Sequence, residues 1–124
     1  MLRVLIVEDN DTFRKAFRKR LQDDFLFMVI EEAGNSDEAL HKIKESPPQL
    51  IFMDIRLPGV NGLQLTQRTK KDFPSVKIAI LTSYDLPEYR EAATQYGADR
   101  FFIKDALKWS EVEAFVKSIQ PDVP

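Results

Sequence analysis

The sequence predicts an α/β domain in which five parallel strands alternate with five helices laid on both faces of one sheet. Two observations carry that reading. Four short apolar runs each end on a reactive polar side chain: Leu2–Val7, broken only by Arg3, on Glu8 and Asp9; Leu50–Met53 on Asp54; Ile78–Leu81 on Thr82; and Phe101–Ile103 on Lys104. Segments of helical periodicity separate them. Runs apolar at successive positions are what strands of a parallel sheet look like when both faces are covered.

The elements follow in order. Asp11 to Asp24 puts Phe13, Ala16, Phe17 and Leu21 on one helical face. Met28 to Glu32 is a second, weaker strand. Asn35 to Glu45 reads as a helix with Ala39, Leu40 and Ile43 inward; Asn35-Ser36-Asp37-Glu38 is its capping cluster and Pro47-Pro48 stops it. After the third strand comes the turn Leu57-Pro58-Gly59-Val60-Asn61-Gly62, then a helix to about Phe73. Gly59 and Gly62 read as turn residues that position their neighbours. Asp85-Leu86-Pro87-Glu88 starts a fourth helix that ends near Gly97, a left-handed cap. Ser110-Glu111-Val112-Glu113 has the pattern of a capping box for the last helix, whose apolar stripe is Trp109, Val112, Phe115, Val116 and Ile119. The domain is expected to span residues 1–120, with 121–124 the start of a linker.

Composition narrows the function. A chain of 124 residues, 44% hydrophobic, is long enough for one domain with a real core. A net charge of −2 gives no general attraction to nucleic acid. The absence of cysteine excludes disulfides and thiolate metal sites. No apolar stretch is long enough to span a bilayer, and the first strand begins too early to leave room for a signal peptide, so a cytoplasmic location is expected. The single histidine, His41, reads as a surface residue.

In open parallel sheets the binding crevice lies beyond the carboxyl ends of the strands. There the four runs would gather three carboxylates, a hydroxyl and an ammonium. Carboxylates crowded together repel, and a divalent cation relieves the repulsion. An all-oxygen donor set favours a hard ion, and a few carboxylates with water and phosphate suit Mg²⁺. A carboxylate is also a nucleophile toward phosphorus, giving an aspartyl phosphate. A lysine and a threonine could then neutralise or hydrogen-bond the phosphoryl oxygens. Asp9, Asp54, Thr82 and Lys104 supply each role once. Taken singly, Asp54 or Thr82 could be a helix cap and Lys104 an ordinary surface lysine; the set argues for function.

At these positions the chain resembles the receiver domains of bacterial two-component response regulators. Val7-Glu8-Asp9-Asn10, Met53 to Gly62, Leu81-Thr82-Ser83 and Phe102-Ile103-Lys104 fall in that family's order and spacing, over essentially the whole chain. The resemblance implies a flavodoxin-like sheet of strand order 2-1-3-4-5. It makes Asp54 the phosphoacceptor, with Mg²⁺ held by Asp9, Asp54 and the Arg56 carbonyl and by Glu8 through water. Lys104 would contact the phosphoryl group, and Thr82 and Phe101 would form the switch. The implied partners are a sensor histidine kinase or histidine phosphotransfer protein, and an output domain or partner protein met through helix four, strand five and helix five. A homodimer on phosphorylation is a further implication. The domain itself would bind neither nucleic acid nor membrane, and would catalyse only its own phosphorylation and dephosphorylation. The basic first helix, with Arg14, Lys15, Arg18, Lys19 and Arg20, is either a solvated face or a docking surface for the phosphodonor. Arg56 and Tyr84 are expected to tune the lifetime of the phosphorylated state by gating water.

The sequence departs from the family at two points. Asp105 stands where a proline often follows the lysine, which puts a cis link there in question; Lys-Asp here resembles the subgroup joined to helix-turn-helix DNA-binding domains. Phe101 replaces the usual tyrosine and brings no hydroxyl. Two rival readings stand beside this one. A dehalogenase-type hydrolase would carry a second Asp two residues after its nucleophile, where this chain has Arg56. A receiver-like module that is never phosphorylated would lack part of the acidic set or the lysine.

Overall fold

The computed structural model describes residues 1–119, so the linker expected at 121–124 lies outside the described residues. The chain runs β1 (Leu2–Val7), α1 (Asp11–Asp24), β2 (Met28–Ala33), α2 (Ser36–Glu45), β3 (Leu50–Met53), α3 (Gly62–Asp72), β4 (Lys77–Thr82), α4 (Pro87–Gln95), β5 (Arg100–Ile103), a 3-10 turn (Lys104–Ala106) and α5 (Trp109–Ile119). The five strands form one parallel sheet in the order β2-β1-β3-β4-β5, as the resemblance implied.

Alternate strand residues feed two separate cores. Under α1 and α5 lie Val4, Ile6, Phe52, Leu81 and Phe102, packed with Phe17, Leu21, Phe115 and Val116. Under α2, α3 and α4 lie Leu5, Val7, Ile51, Met53, Ile78 and Ile80, packed with Ala39, Ile43, Leu65 and Ala93. Burial on both sides is why β3 is apolar at all four positions. The edge strand β2 is only partly covered, which is why its pattern is weaker.

Asparagine side chains cap three helices: Asn10 Oδ1 accepts from the Phe13 amide at 2.9 Å, Asn35 Oδ1 from Glu38 at 2.8 Å and Asn61 Oδ1 from Gln64 at 2.9 Å. Pro87 occupies the first turn of α4, and Gly97 takes φ 93°, the left-handed conformation expected there. The start of α5 corrects the sequence reading. The helix begins at Trp109, and the Glu111 and Val112 amides donate to the Lys108 carbonyl, so Ser110 lies inside the helix and opens no capping box. Trp109, in the first turn of the helix, packs edge-on against Phe17 with ring centres 5.8 Å apart. The Lys104–Asp105 peptide is trans. Among the described residues no helix is long and apolar enough to cross a membrane.

Candidate functional site

Parallel register delivers the acidic residues to one place. Val7 sits beside Met53 in the β1–β3 ladder, and the ladder extends one bond further, from the Asp54 amide to the Val7 carbonyl (3.0 Å). Glu8 and Asp54 therefore leave adjacent strands at the same level. Carboxylate oxygens of Glu8, Asp9 and Asp54 all lie within 4.8 Å of one another. Glu8 and Asp54 are buried, at 2% and 7% exposure, and Asp9 is open to solvent.

Lys104 comes to the same point from the end of β5. Its Nζ is paired with Glu8 Oε1 and lies 3.3 Å from Asp54 Oδ2. Asp54 Oδ1 accepts from the Ile55 amide at 2.8 Å, and Glu8 Oε2 from the Asn10 amide at 3.0 Å. Glu8 Oε1 is balanced in charge by Lys104 yet has no hydrogen bond of good geometry. Burial pushes the Glu8 carboxyl up to about 7, against the opposing influence of Lys104 and the Asn10 amide, and the nearby Asp54 adds to the rise. For Lys104, burial works against the charged form, but Glu8 and Asp54 outweigh it and hold the ammonium above its ordinary value. Three carboxylates share one ammonium, so the cluster carries an excess of negative charge. A compact set of oxygen donors with no nitrogen or sulfur suits a hard divalent cation.

The loop after Asp54 is held by close packing. A Cβ on Gly62 would fall 1.7 Å from the Asp54 carbonyl oxygen, so only glycine lets α3 start against the end of β3. From α2, the buried Ser36 hydroxyl donates to the Pro58 carbonyl (3.1 Å) and accepts from the Val60 amide (2.8 Å). Sequence reasoning placed Ser36 in a helix cap and missed this strap, which joins positions more than twenty residues apart.

The remaining expected residues stand around this centre without joining it. Thr82 is fully buried at the end of β4, and its Oγ1 accepts from the Tyr84 amide at 3.2 Å. No hydrogen bond links it to Asp54 or Lys104 among the described residues. Phe101 is half-buried on β5, with the Arg90 guanidinium 4.7 Å from its ring centre. The Arg56 side chain stacks over Tyr84 at 3.6 Å, so the loops after β3 and β4 meet in a cation–π pair. On α1, Arg14 and Arg18 are both engaged by Glu32, while Lys15 is exposed.

Comparisons with known proteins identify the family. Residues 4–116 match the model of the response regulator receiver domain. The chain is 35% identical over 121 residues to the uncharacterized transcriptional regulatory protein YhcZ of Bacillus subtilis, covering 96% of this chain and 54% of that protein. It is 31% identical over 119 residues to the DNA-binding transcriptional activator DevR/DosR of Mycobacterium tuberculosis, covering 96% and 54%. It is 30% identical over 106 residues to the response regulator GacA of Pseudomonas viridiflava, covering 86% and 50%. The chain thus spans about half the length of the curated relatives it matches. Among solved structures, the response regulator protein TrrA of Thermotoga maritima, in complex with Mg(2+)-BeF, superposes with a TM-score of 0.84 at 30% identity, covering 96% of this chain and 99% of that one. A two-component response regulator from Clostridium difficile shares the fold, with a TM-score of 0.88 at 24% identity and 98% of both chains covered. With the family match over nearly its whole length and the acidic cluster at the ends of β1 and β3, the chain belongs to the response regulator receiver domains of two-component systems.

Proposed function

We propose that this chain is a phosphorylation-dependent switch that takes a phosphoryl group onto Asp54 from a phosphohistidine of a sensor kinase or phosphotransfer protein. One observation carries the reading: three carboxylates and a single lysine converge where β1, β3 and β5 end. A carboxylate oxygen of Asp54 attacks phosphorus, a P–O bond forms, and the P–N bond to the donor imidazole breaks with its electron pair returning to nitrogen. Asp9, Asp54 and the Arg56 carbonyl would hold Mg²⁺, with Glu8 acting through water. The ion supplies positive charge against the phosphoryl oxygens. The Mg(2+)-BeF complex of TrrA supports a site of this kind.

Lys104, already facing Asp54 Oδ2, would transfer its attraction to the new phosphoryl oxygens. Thr82 would exchange its Tyr84 amide for the phosphoryl group, and Phe101 would turn into the space vacated, repacking the face of α4, β5 and α5. That face would carry the signal to an output domain or partner protein, with homodimerisation as one outlet. The domain boundary is proposed at residue 120, with 121–124 beginning a linker in a cytoplasmic protein. DevR/DosR is a DNA-binding activator, and its matching half supports a DNA-binding output here.

The test is labelling by acetyl phosphate with Mg²⁺. Wild type should acquire an acid-stable, hydroxylamine-sensitive phosphoryl group, and Asp54→Asn should acquire none. Equal labelling of the two would remove Asp54 from its role.

A further inference from the structure

We propose that Phe13 is a positioning residue for Lys104, its ring face seating the ammonium group between Glu8 and Asp54. The proposal rests on the phosphoryl-transfer reading above. Lys104 Nζ lies 4.5 Å from the centre of the Phe13 ring, within reach of a cation–π attraction. Glu8 Oε1 and Asp54 Oδ2 take two directions around the ammonium, and the ring covers another. The Lys104 side chain is only 11% exposed, so the ring stands where hydrating water would otherwise be.

The ring is not free to drift. Asn10 ties the two sides of the seat together: its backbone amide donates to Glu8 Oε2 at 3.0 Å, and its side chain accepts from the Phe13 amide at 2.9 Å. The Phe13 ring stacks on Phe17, with centres 5.8 Å apart and planes 12° from parallel. Phe17 is locked in turn by edge-to-face contacts with Phe52 on β3 at 4.9 Å and Trp109 on α5 at 5.8 Å. The seat of the lysine is therefore continuous with the core under α1 and α5.

The consequence is mechanistic. Lysine is a strongly hydrated point charge on a four-carbon stem with many rotamers. A fixed π-face lowers the cost of holding that charge at one place, and a group already placed need not be ordered when phosphorus arrives. Phe13 touches none of the reacting atoms and acts through Lys104.

The test replaces Phe13, in the 124-residue chain, by phenylalanines carrying one, two and three ring fluorines. These withdraw charge from the ring face while nearly keeping its size. The rate of labelling by acetyl phosphate with Mg²⁺ should fall stepwise, by about three- to tenfold at three fluorines. Phe13→Tyr should keep the rate, and Phe13→Leu should lose at least as much as the trifluoro ring. Circular dichroism and the urea midpoint should hold constant across the fluorinated series. A flat rate across that series, with wild type labelled normally, overturns the role of Phe13 and leaves the phosphoryl-transfer reading intact. A wild type that takes no label overturns both.

Discussion

A carboxylate–lysine cluster closes each end of the sheet, and the two clusters are built on opposite plans. At the amino end, Asp99 stands before β5 and meets Lys70 Nζ at 2.9 Å, Lys77 Nζ at 3.9 Å and the Ile78 backbone amide at 2.9 Å. Cations outnumber the carboxylate, and the bonds join α3, β4 and β5. At the carboxyl end, Lys104 faces Glu8 and Asp54, with Asp9 close by. Carboxylates outnumber the cation. The same residue types hold the fold together at one end and leave an excess of negative charge, which a cation would relieve, at the other. What separates the two clusters is the sign of the charge left over, positive at the amino end and negative at the carboxyl end.

That contrast is broken most sharply by removing Asp99. Asp99→Ala leaves the Ile78 amide and the mostly buried Lys70 without their partner. It should cost about 2–3 kcal/mol of stability by urea unfolding, the penalty of orphaning a buried donor and a partly buried charge. Asp54 labelling, measured below the unfolding transition, should be unchanged. A loss of labelling in the folded variant would mean that the amino-end cluster also serves the site.

The mirror experiment at the other end should have the opposite sign. Asp54→Asn removes one of three crowded carboxylates and leaves Lys104 paired to Glu8. In the absence of divalent cation it should stabilise the protein by about 1 kcal/mol, the repulsion relieved exceeding the single attraction lost. Mg²⁺ should raise the urea midpoint of wild type more than that of the variant. A destabilised Asp54→Asn protein would place the acidic cluster among the structural ones.

How much of this was legible in the chain follows from the same physics. The inner strands β1, β3 and β4 could be read because burial on both faces demands long apolar runs, and the edge strand β5 because Phe101 and Phe102 pack on opposite sides of the sheet. The gathering of Glu8, Asp54 and Lys104 could be read because a parallel register puts every strand's carboxyl end on one side. What stayed hidden depends on contacts between distant segments. Nothing in the local sequence joins Ser36 to Pro58 and Val60, or Phe13 to Lys104. The start of α5 differs because Ser110-Glu111-Val112-Glu113 satisfies a local pattern, while the Lys108 carbonyl takes the first free amides and Trp109 packs on Phe17. Gly62 was read as a turn residue, but the reason no other residue fits is the Asp54 carbonyl against it.

A third cluster sharpens the contrast with a smaller effect. Glu32 on β2 accepts from Arg14 Nε and Arg18 Nη1, each at 2.7 Å, and Arg14 also donates to the Glu8 carbonyl. It lies near the site yet carries no excess of negative charge, like the Asp99 cluster. Burial favours the protonated form of Glu32, but Arg18 and Arg14 outweigh burial and hold its carboxyl below the ordinary value of 4.5. The folded protein therefore binds fewer protons here than the unfolded chain as pH falls below that value. Stability contributed by Glu32 is full above pH 4.5 and is lost as pH drops through the depressed folded value. Glu32→Gln should cost about 1 kcal/mol at pH 7, and the gap to wild type should close in acid. Its labelling rate should match wild type, because a cluster with no excess of negative charge holds α1 to the sheet without lending charge to the site. A gap that widened as pH fell would reverse the sign assigned to Glu32, and a slowed labelling rate would show that position beside the site, and not the sign of the charge left over, decides which charges are reactive.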